Sequence, residues 1–226
     1  MKRLALAALA ILALPLSVTR TAVAAPTAHA PKEAVLQQPP EMAALARGGI
    51  HTITKDRAKI EGMLKDSGWV SPGLKGRQVW MISFRSCPDC IRFESEAFPA
   101  LHKAGVDTRV ILVARRSKST APERTGVGEV WANRKWEMFE HWTSMPVDAW
   151  TGEGLASGDT DPARAALVER ARTFIDQLTP LLAENGVELR YPTLIWKTKA
   201  GALRACACEE RETYGYILSE LGVPAS

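Results

Sequence analysis

Two stretches of the chain are apolar at nearly every position: residues 78–84, containing Val79, Trp80, Met81, Ile82 and Phe84, and residues 108–114, containing Val110, Ile111, Leu112 and Val113. Runs of this length without alternation predict strands buried on both faces. Between them Ile91, Phe93, Phe98 and Leu101 recur at helical spacing from Cys90 to about Lys103, with Pro99 inside and Gly105 as the stop. Strand, helix and strand of these lengths predict a parallel crossover unit. Upstream, residues 50–54 alternate like an edge strand. Asp56 is placed to cap a helix to about Lys65, with Ile60, Met63 and Leu64 on one face. Ser71-Pro72-Gly73 reads as a turn.

The next 70 or so residues change character. Residues 117–128 read as loop. Residues 129–144 carry Val130, Trp131, Trp136, Phe139 and Trp142, an aromatic stripe expected in the core. Asp161-Pro162 is an N-cap followed by proline at the first helical position. Leu167, Ala171, Phe174, Ile175 and Leu178 follow at helical spacing; Thr179-Pro180 should bend or restart that helix, and Asn185-Gly186 should end it. Residues 116–186 thus read as a helical insertion. Strand character returns at 193–196 and 202–208 around a turn at 197–201. A last helix then carries Tyr214, Ile217, Leu218 and Leu221, with Gly222 beyond it.

The N-terminus reads as an export signal over residues 1–24. Lys2 and Arg3 precede an apolar run from Leu4 to Leu16, and Ala22-Val23-Ala24 is a small-x-small cleavage site. The run is shorter than the roughly 20 residues of a spanning helix, so a membrane anchor is the second reading. Residues 25–49, with Pro26, Pro31, Pro39 and Pro40, read as a flexible lead-in, and residues 50–226 as the folded domain. The formal charge of +4 includes Lys2, Arg3 and Arg20, so cleavage leaves a nearly neutral protein. No basic cluster interleaves with aromatics, so no nucleic-acid partner is expected. Arg115-Arg116-Ser117-Lys118 reads as a solvated strand end, and His29, His51, His102 and His141 have no ligand spacing.

The chemistry lies in the cysteines. Cys87-Pro88-Asp89-Cys90 stands where a buried strand passes into a helix. Free N–H groups at a helix N-terminus stabilise a thiolate, and the thiolate is the form that attacks disulfides. A bridge spanning so few residues hardly restricts the unfolded chain, so the pair suits redox work better than stapling. Cys87 is expected to attack and Cys90, more buried, to resolve. Arg85 and Ser86 should favour the Cys87 anion and Asp89 should oppose it. Cys206 and Cys208 share one strand face. Three readings stay open for them: buried free thiols, a second redox pair, or a metal site, most plausibly for Cu(I). With Cys87 and Cys90 they also offer a zinc or copper ligand set.

A second signal is Tyr191-Pro192-Thr193 entering a strand. Together with the CxxC junction, the glycine turn and the final strand and helix, it makes residues 76–222 resemble the thioredoxin fold. That is an α/β mixed central sheet flanked by helices, here with a helical insertion between the third strand and the strand after the proline. Within that superfamily the chain looks most similar to the periplasmic DsbC/DsbG catalytic domain. The resemblance implies a cis Pro192 against the Cys87–Cys90 disulfide, with Tyr191 and Thr193 contacting substrate and Pro88 and Asp89 supporting the site. It implies a periplasmic thiol–disulfide oxidoreductase without dissociable cofactor, acting on cysteines of exported proteins. A membrane thiol–disulfide donor or acceptor would set its redox state. The reductase or isomerase direction is expected, with a DsbA-like oxidase or a copper- or zinc-binding protein as alternatives. The chain departs from the family in three ways: a short lead-in in place of a dimerisation domain, a bulky Tyr191, and Met81 where relatives carry a buried acid.

Overall fold

A computed structural model describes residues 49–223. The expected signal sequence and most of the lead-in lie outside them. Among the described residues no helix is long and apolar enough to cross a membrane.

The elements, in chain order, are β1 (His51–Thr52), α1 (Arg57–Asp66), β2 (Gln78–Ser83), α2 (Pro88–Lys103), β3 (Asp107–Leu112), α3 (Ala121–Asn133), α4 (Trp136–Ser144), α5 (Pro162–Ala183), β4 (Thr193–Lys197), β5 (Leu203–Ala207) and α6 (Tyr214–Glu220), with a 3-10 turn at Arg211–Thr213. The strands form one mixed sheet in the order β1-β5-β4-β2-β3. β2 and β3 run parallel, joined through α2, whereas β4 pairs antiparallel with both β2 and β5. A parallel βαβ unit followed by an antiparallel hairpin and a closing helix is the thioredoxin-like topology, with α3, α4 and α5 inserted before β4. The apolar runs become buried strands, β2 and β4 inside the sheet and β3 at its end: Val79, Met81, Ile82, Val110, Ile111, Leu194, Ile195 and Trp196 are all buried.

One face of the sheet is fixed by two polar contacts. Trp196 Nε1 donates to Glu220 Oε2 of α6 at 2.9 Å, and Arg204, paired opposite Trp196, reaches Glu220 Oε1 at 3.0 Å. Side chains alternate along a strand, so Leu194 and its cross-strand partner Cys206 also face α6. α6 in turn packs on α2 through the rings of Phe93 and Tyr214, 4.8 Å apart and edge to face.

Several local expectations are corrected. Residues 117–128 are not loop: α3 starts at Ala121 behind a capping box, with Thr120 Oγ1 accepting from Glu123 N and Glu123 Oε2 accepting from Thr120 N. The aromatic stripe spans two helices, because Arg134 adopts a left-handed conformation (φ 49°) and breaks the run between α3 and α4. Trp142 and Phe139 are core residues, as expected. α5 runs unbroken past Pro180; Asp161 caps it, accepting from Arg164 N at 2.8 Å. Asp56 makes no side-chain cap for α1, since it is itself left-handed (φ 50°).

Candidate active site

β2 delivers the chain to the site. After Ser83 a tight turn, closed by Cys87 N donating to Phe84 O at 3.1 Å, sets Cys87 as the N-cap of α2. Pro88 occupies the first turn, where its missing N–H costs nothing and its fixed φ suits the helix. The Cys87 sulfur accepts the Cys90 backbone N–H at 3.1 Å, doing the work of a capping oxygen. Cys87 and Cys90 form a disulfide with Cα atoms 5.2 Å apart. Burial barely separates them: Cys87 is 2 % exposed and Cys90 1 %. The two sulfurs differ in their surroundings instead. Cys87 alone among them has a helix N–H on its sulfur and a neighbour across the site, the Tyr191 carbonyl oxygen 3.5 Å away.

The structure therefore brings residues 87 and 191 together across 104 positions of sequence. The Tyr191–Pro192 peptide bond is cis. The Tyr191 ring stands edge-on to Phe84 at 5.0 Å, which places it against the loop leading into Cys87. Thr193 departs from the substrate-contacting role expected of it. It is fully buried; its Oγ1 accepts from Arg190 N at 3.2 Å and donates to Arg190 O, so it holds the loop ahead of the proline.

The charges around Cys87 are also arranged differently from the sequence reading. Asp89 does not stand as a free anion, because Arg92 Nη2 pairs with it at 2.7 Å. Arg92 also donates to the Glu209 carbonyl at 2.5 Å, tying α2 to the segment after β5. Arg85 points away from the sulfur. Its guanidinium is buried and donates to the Trp142 carbonyl at 3.2 Å, the Thr143 carbonyl at 3.4 Å and the Met145 carbonyl, at the C-terminal end of α4. Burial lowers its pKa, with Glu94 and Glu123 opposing. Arg115 lies on the loop leading into Cys87: it donates to Ser86 Oγ at 3.2 Å and stacks on Phe84 with its guanidinium carbon 3.7 Å from the ring centre, and its contacts are with those two residues rather than with the Cys87 sulfur.

Position 81 is an apolar core methionine, as read. A buried acid is present nonetheless, on the helix. Glu94 lies four residues after Cys90, one turn deeper along the same side of α2. The residue as a whole is only part-buried, but its carboxyl is surrounded by protein. That burial pushes its pKa up to about 7 against the pull of Arg85.

Cys206 and Cys208 are paired, both fully buried, with Cα atoms 5.2 Å apart. That spacing is shorter than two strand residues span, and β5 ends between them at Ala207. The free-thiol reading is thereby corrected. Cys208 N donates to Pro192 O at 2.9 Å, so this pair adjoins the loop that meets Cys87. Among the described residues no three His, Cys, Asp or Glu side chains are arranged to hold a metal ion, and the two cysteine pairs do not combine into a ligand set.

Arg115, Arg92 and Glu94 are the site residues that sequence reasoning passed over. For Arg115 a signal existed: β2 and β3 are parallel neighbours, so the residues just after β3 must lie beside the loop after β2. For Glu94 the helical spacing from Cys90 placed it near the site but said nothing of its burial.

A scan against models of protein families finds no match, and a search of curated proteins finds none. Among solved structures, the chain is similar to the oxidised crystal structure of BdbD from Bacillus subtilis, with 17% identity, 70% of this chain and 94% of that one covered, and a TM-score of 0.41. It is also similar to a thioredoxin-like oxidoreductase from Silicibacter pomeroyi DSS-3, with 13% identity, 66% and 88% covered, and a TM-score of 0.36.

Proposed function

We propose that this chain is a thiol–disulfide oxidoreductase of the periplasm, exported by its N-terminal segment and acting on cysteines of other exported proteins. The observation that carries the reading is the placement of Cys87. Its sulfur caps a helix, accepts an N–H at 3.1 Å and faces the Tyr191 carbonyl at 3.5 Å. In the reduced protein that N–H and the helix dipole stabilise a thiolate at Cys87.

The Cys87 thiolate attacks one sulfur of a client disulfide. A mixed disulfide forms, the client S–S bond breaks, and the released client sulfur takes up a proton. Cys90 then loses its proton and attacks the Cys87 sulfur, which frees the second client thiol. Two electrons pass from the Cys87/Cys90 pair to the client, leaving the pair as the disulfide. A membrane thiol–disulfide partner restores the dithiol. Pro88 and Asp89 shape the first turn, and the loop of Tyr191 and Pro192 borders the attacking sulfur.

The reductase or isomerase direction, in the DsbC/DsbG manner, is the one we propose. No cation stands between the two cysteines, and the charge of Asp89 is balanced by Arg92. The thiolate is stabilised mainly by backbone groups, which makes the pair less oxidising than one whose reduced form carries added cationic support.

The test is reduction of insulin disulfides by the purified protein. Activity lost in Cys87→Ser, and a trapped mixed disulfide in Cys90→Ser, are the expected results. An active Cys87→Ser variant refutes the assignment. The cysteines trapped in cells should be mostly reduced; a mostly oxidised pair reverses the direction.

A further inference from the structure

Beside Tyr191 the structure holds a cleft of about 240 Å³, walled by residues 113–116, just after β3, and by α5. Three arginines line it: Arg115, Arg116 and Arg172. Two carboxylates answer them. Glu169 pairs with Arg116 at 2.8 Å and Arg172 at 3.1 Å, and Asp176 pairs with Arg116 at 2.9 Å. One positive charge is left over, and it belongs to Arg115. That guanidinium has no carboxylate partner among the described residues: it stacks on Phe84, donates to Ser86 Oγ, and its Nε is buried without a partner.

Arg115 is thus held rigidly, by an aromatic face and a neighbour of Cys87, with its charge unspent toward the cleft. The cleft shares Tyr191 with the active site, and the Tyr191 carbonyl is 3.5 Å from the Cys87 sulfur. An extended peptide advances about 3.3 Å per residue. A client cysteine on Cys87 therefore brings its near neighbours in sequence to the mouth of the cleft. Guanidinium groups bind carboxylates by paired N–H donors, which makes a carboxylate the fitting ligand.

We propose that Arg115 and this cleft select client proteins that carry an acidic residue within about two positions of the reacting cysteine. The proposal rests on the oxidoreductase reading and adds the class of client to it. The acidic side chain binds at Arg115 while the client sulfur reacts at Cys87.

The experiment uses the full-length exported protein, reduced, and a set of peptide disulfides in which Glu replaces Gln at each of two positions on either side of the cysteine. At one or more positions the Glu peptide should be reduced about three- to five-fold faster than its Gln partner, the size expected of one part-exposed charge pair. In Arg115→Gln that ratio should fall to about one. Arg115→Lys, which keeps the charge, should retain part of it. In the wild type, 0.5 M NaCl should narrow the ratio. This arm decides the matter if Arg115→Gln fails to fold. Equal rates at every position, a ratio that survives Arg115→Gln, or a ratio indifferent to salt overturns the proposal while leaving the redox reading intact. A preference for oxidised glutathione over its carboxyl esters, with none among peptides, also overturns it, because the carboxylate would then belong to a small thiol. If no peptide is reduced at all, the underlying reading fails and this one with it.

Discussion

Glu94→Gln removes an ionisable group from the protein side of α2 without changing its shape. In the folded protein burial holds the Glu94 carboxyl at about 7, against an ordinary 4.5. The acid is therefore protonated in the fold, and ionised in the unfolded chain, across the interval between those values. A native state that binds the extra proton loses stability as pH rises through that interval. The cost accumulates from about pH 4.5 and is complete above about pH 7, reaching about 3 kcal/mol. Glutamine mimics the protonated acid and carries no such penalty. The difference in stability between Glu94→Gln and wild type should thus shift by about 3 kcal/mol in favour of the variant from pH 4 to pH 8, or about 6–10 °C in melting temperature for a domain of this size. Denaturant unfolding at a series of pH values, in a Cys87→Ala, Cys90→Ala background so that redox state does not intrude, measures it. A difference that stays constant over that range refutes the argument, since it means that the carboxyl ionises as freely in the fold as outside it.

In the reduced protein, iodoacetamide alkylation of Cys87 should show a midpoint well below the roughly 8.5 of a free thiol; a midpoint at that value refutes helix stabilisation of the thiolate. Arg92→Ala leaves Asp89 without its partner and should raise the midpoint by about half a unit, read from the same alkylation curve. Gly158→Ala should cost about 1–3 kcal/mol in urea unfolding, because its Cβ would lie 2.5 Å from the Arg124 carbonyl. Reducing the Cys206–Cys208 bridge in the Cys87→Ala, Cys90→Ala background should lower stability by only about 1.5 kcal/mol, the entropy of so small a loop, measured as a shift in denaturant midpoint.

The sheet was the legible part of the fold. Residues 78–84 and 108–114 are apolar at nearly every position, so their burial as strands follows from composition alone, whereas the place of 108–114 at the end of the sheet does not. Asp161 announced α5 in the same direct way, through a cap with local geometry. α3 was hidden in a stretch that read as loop, where Pro122, Gly126 and Gly128 all have low helix propensity. In the fold the glycines are demanded by neighbours: a Cβ on Gly126 would meet the Trp142 ring at 2.5 Å, and one on Gly128 would crowd Arg164. Packing overrode propensity there, and packing partners 16 or more residues away are invisible to a local pattern. In the site, the meeting of Cys87 with the Tyr191–Pro192 loop was implied by the resemblance to the thioredoxin fold, and nothing local to either segment announces it. The charges were not so implied. Arg85 looked adjacent to the redox pair and Arg115 read as a solvated strand end, yet Arg85 binds the carbonyls of a helix end and Arg115 stacks on the loop leading into Cys87. Direction of a long side chain is set by what it can satisfy, and α4 supplied three carbonyls only once the chain had folded.

The hold of Arg85 on α4 also bears on engineering. A shortened version made by cutting out the three inserted helices takes away the carbonyl cage of Arg85, two residues from Cys87, and any repacking that covers the site again buries that guanidinium without partners. Leaving a cation so uncompensated costs about 3–5 kcal/mol, a large share of what a domain has in reserve. The insertion is therefore not a detachable module; trimming it calls for a simultaneous neutral replacement at position 85.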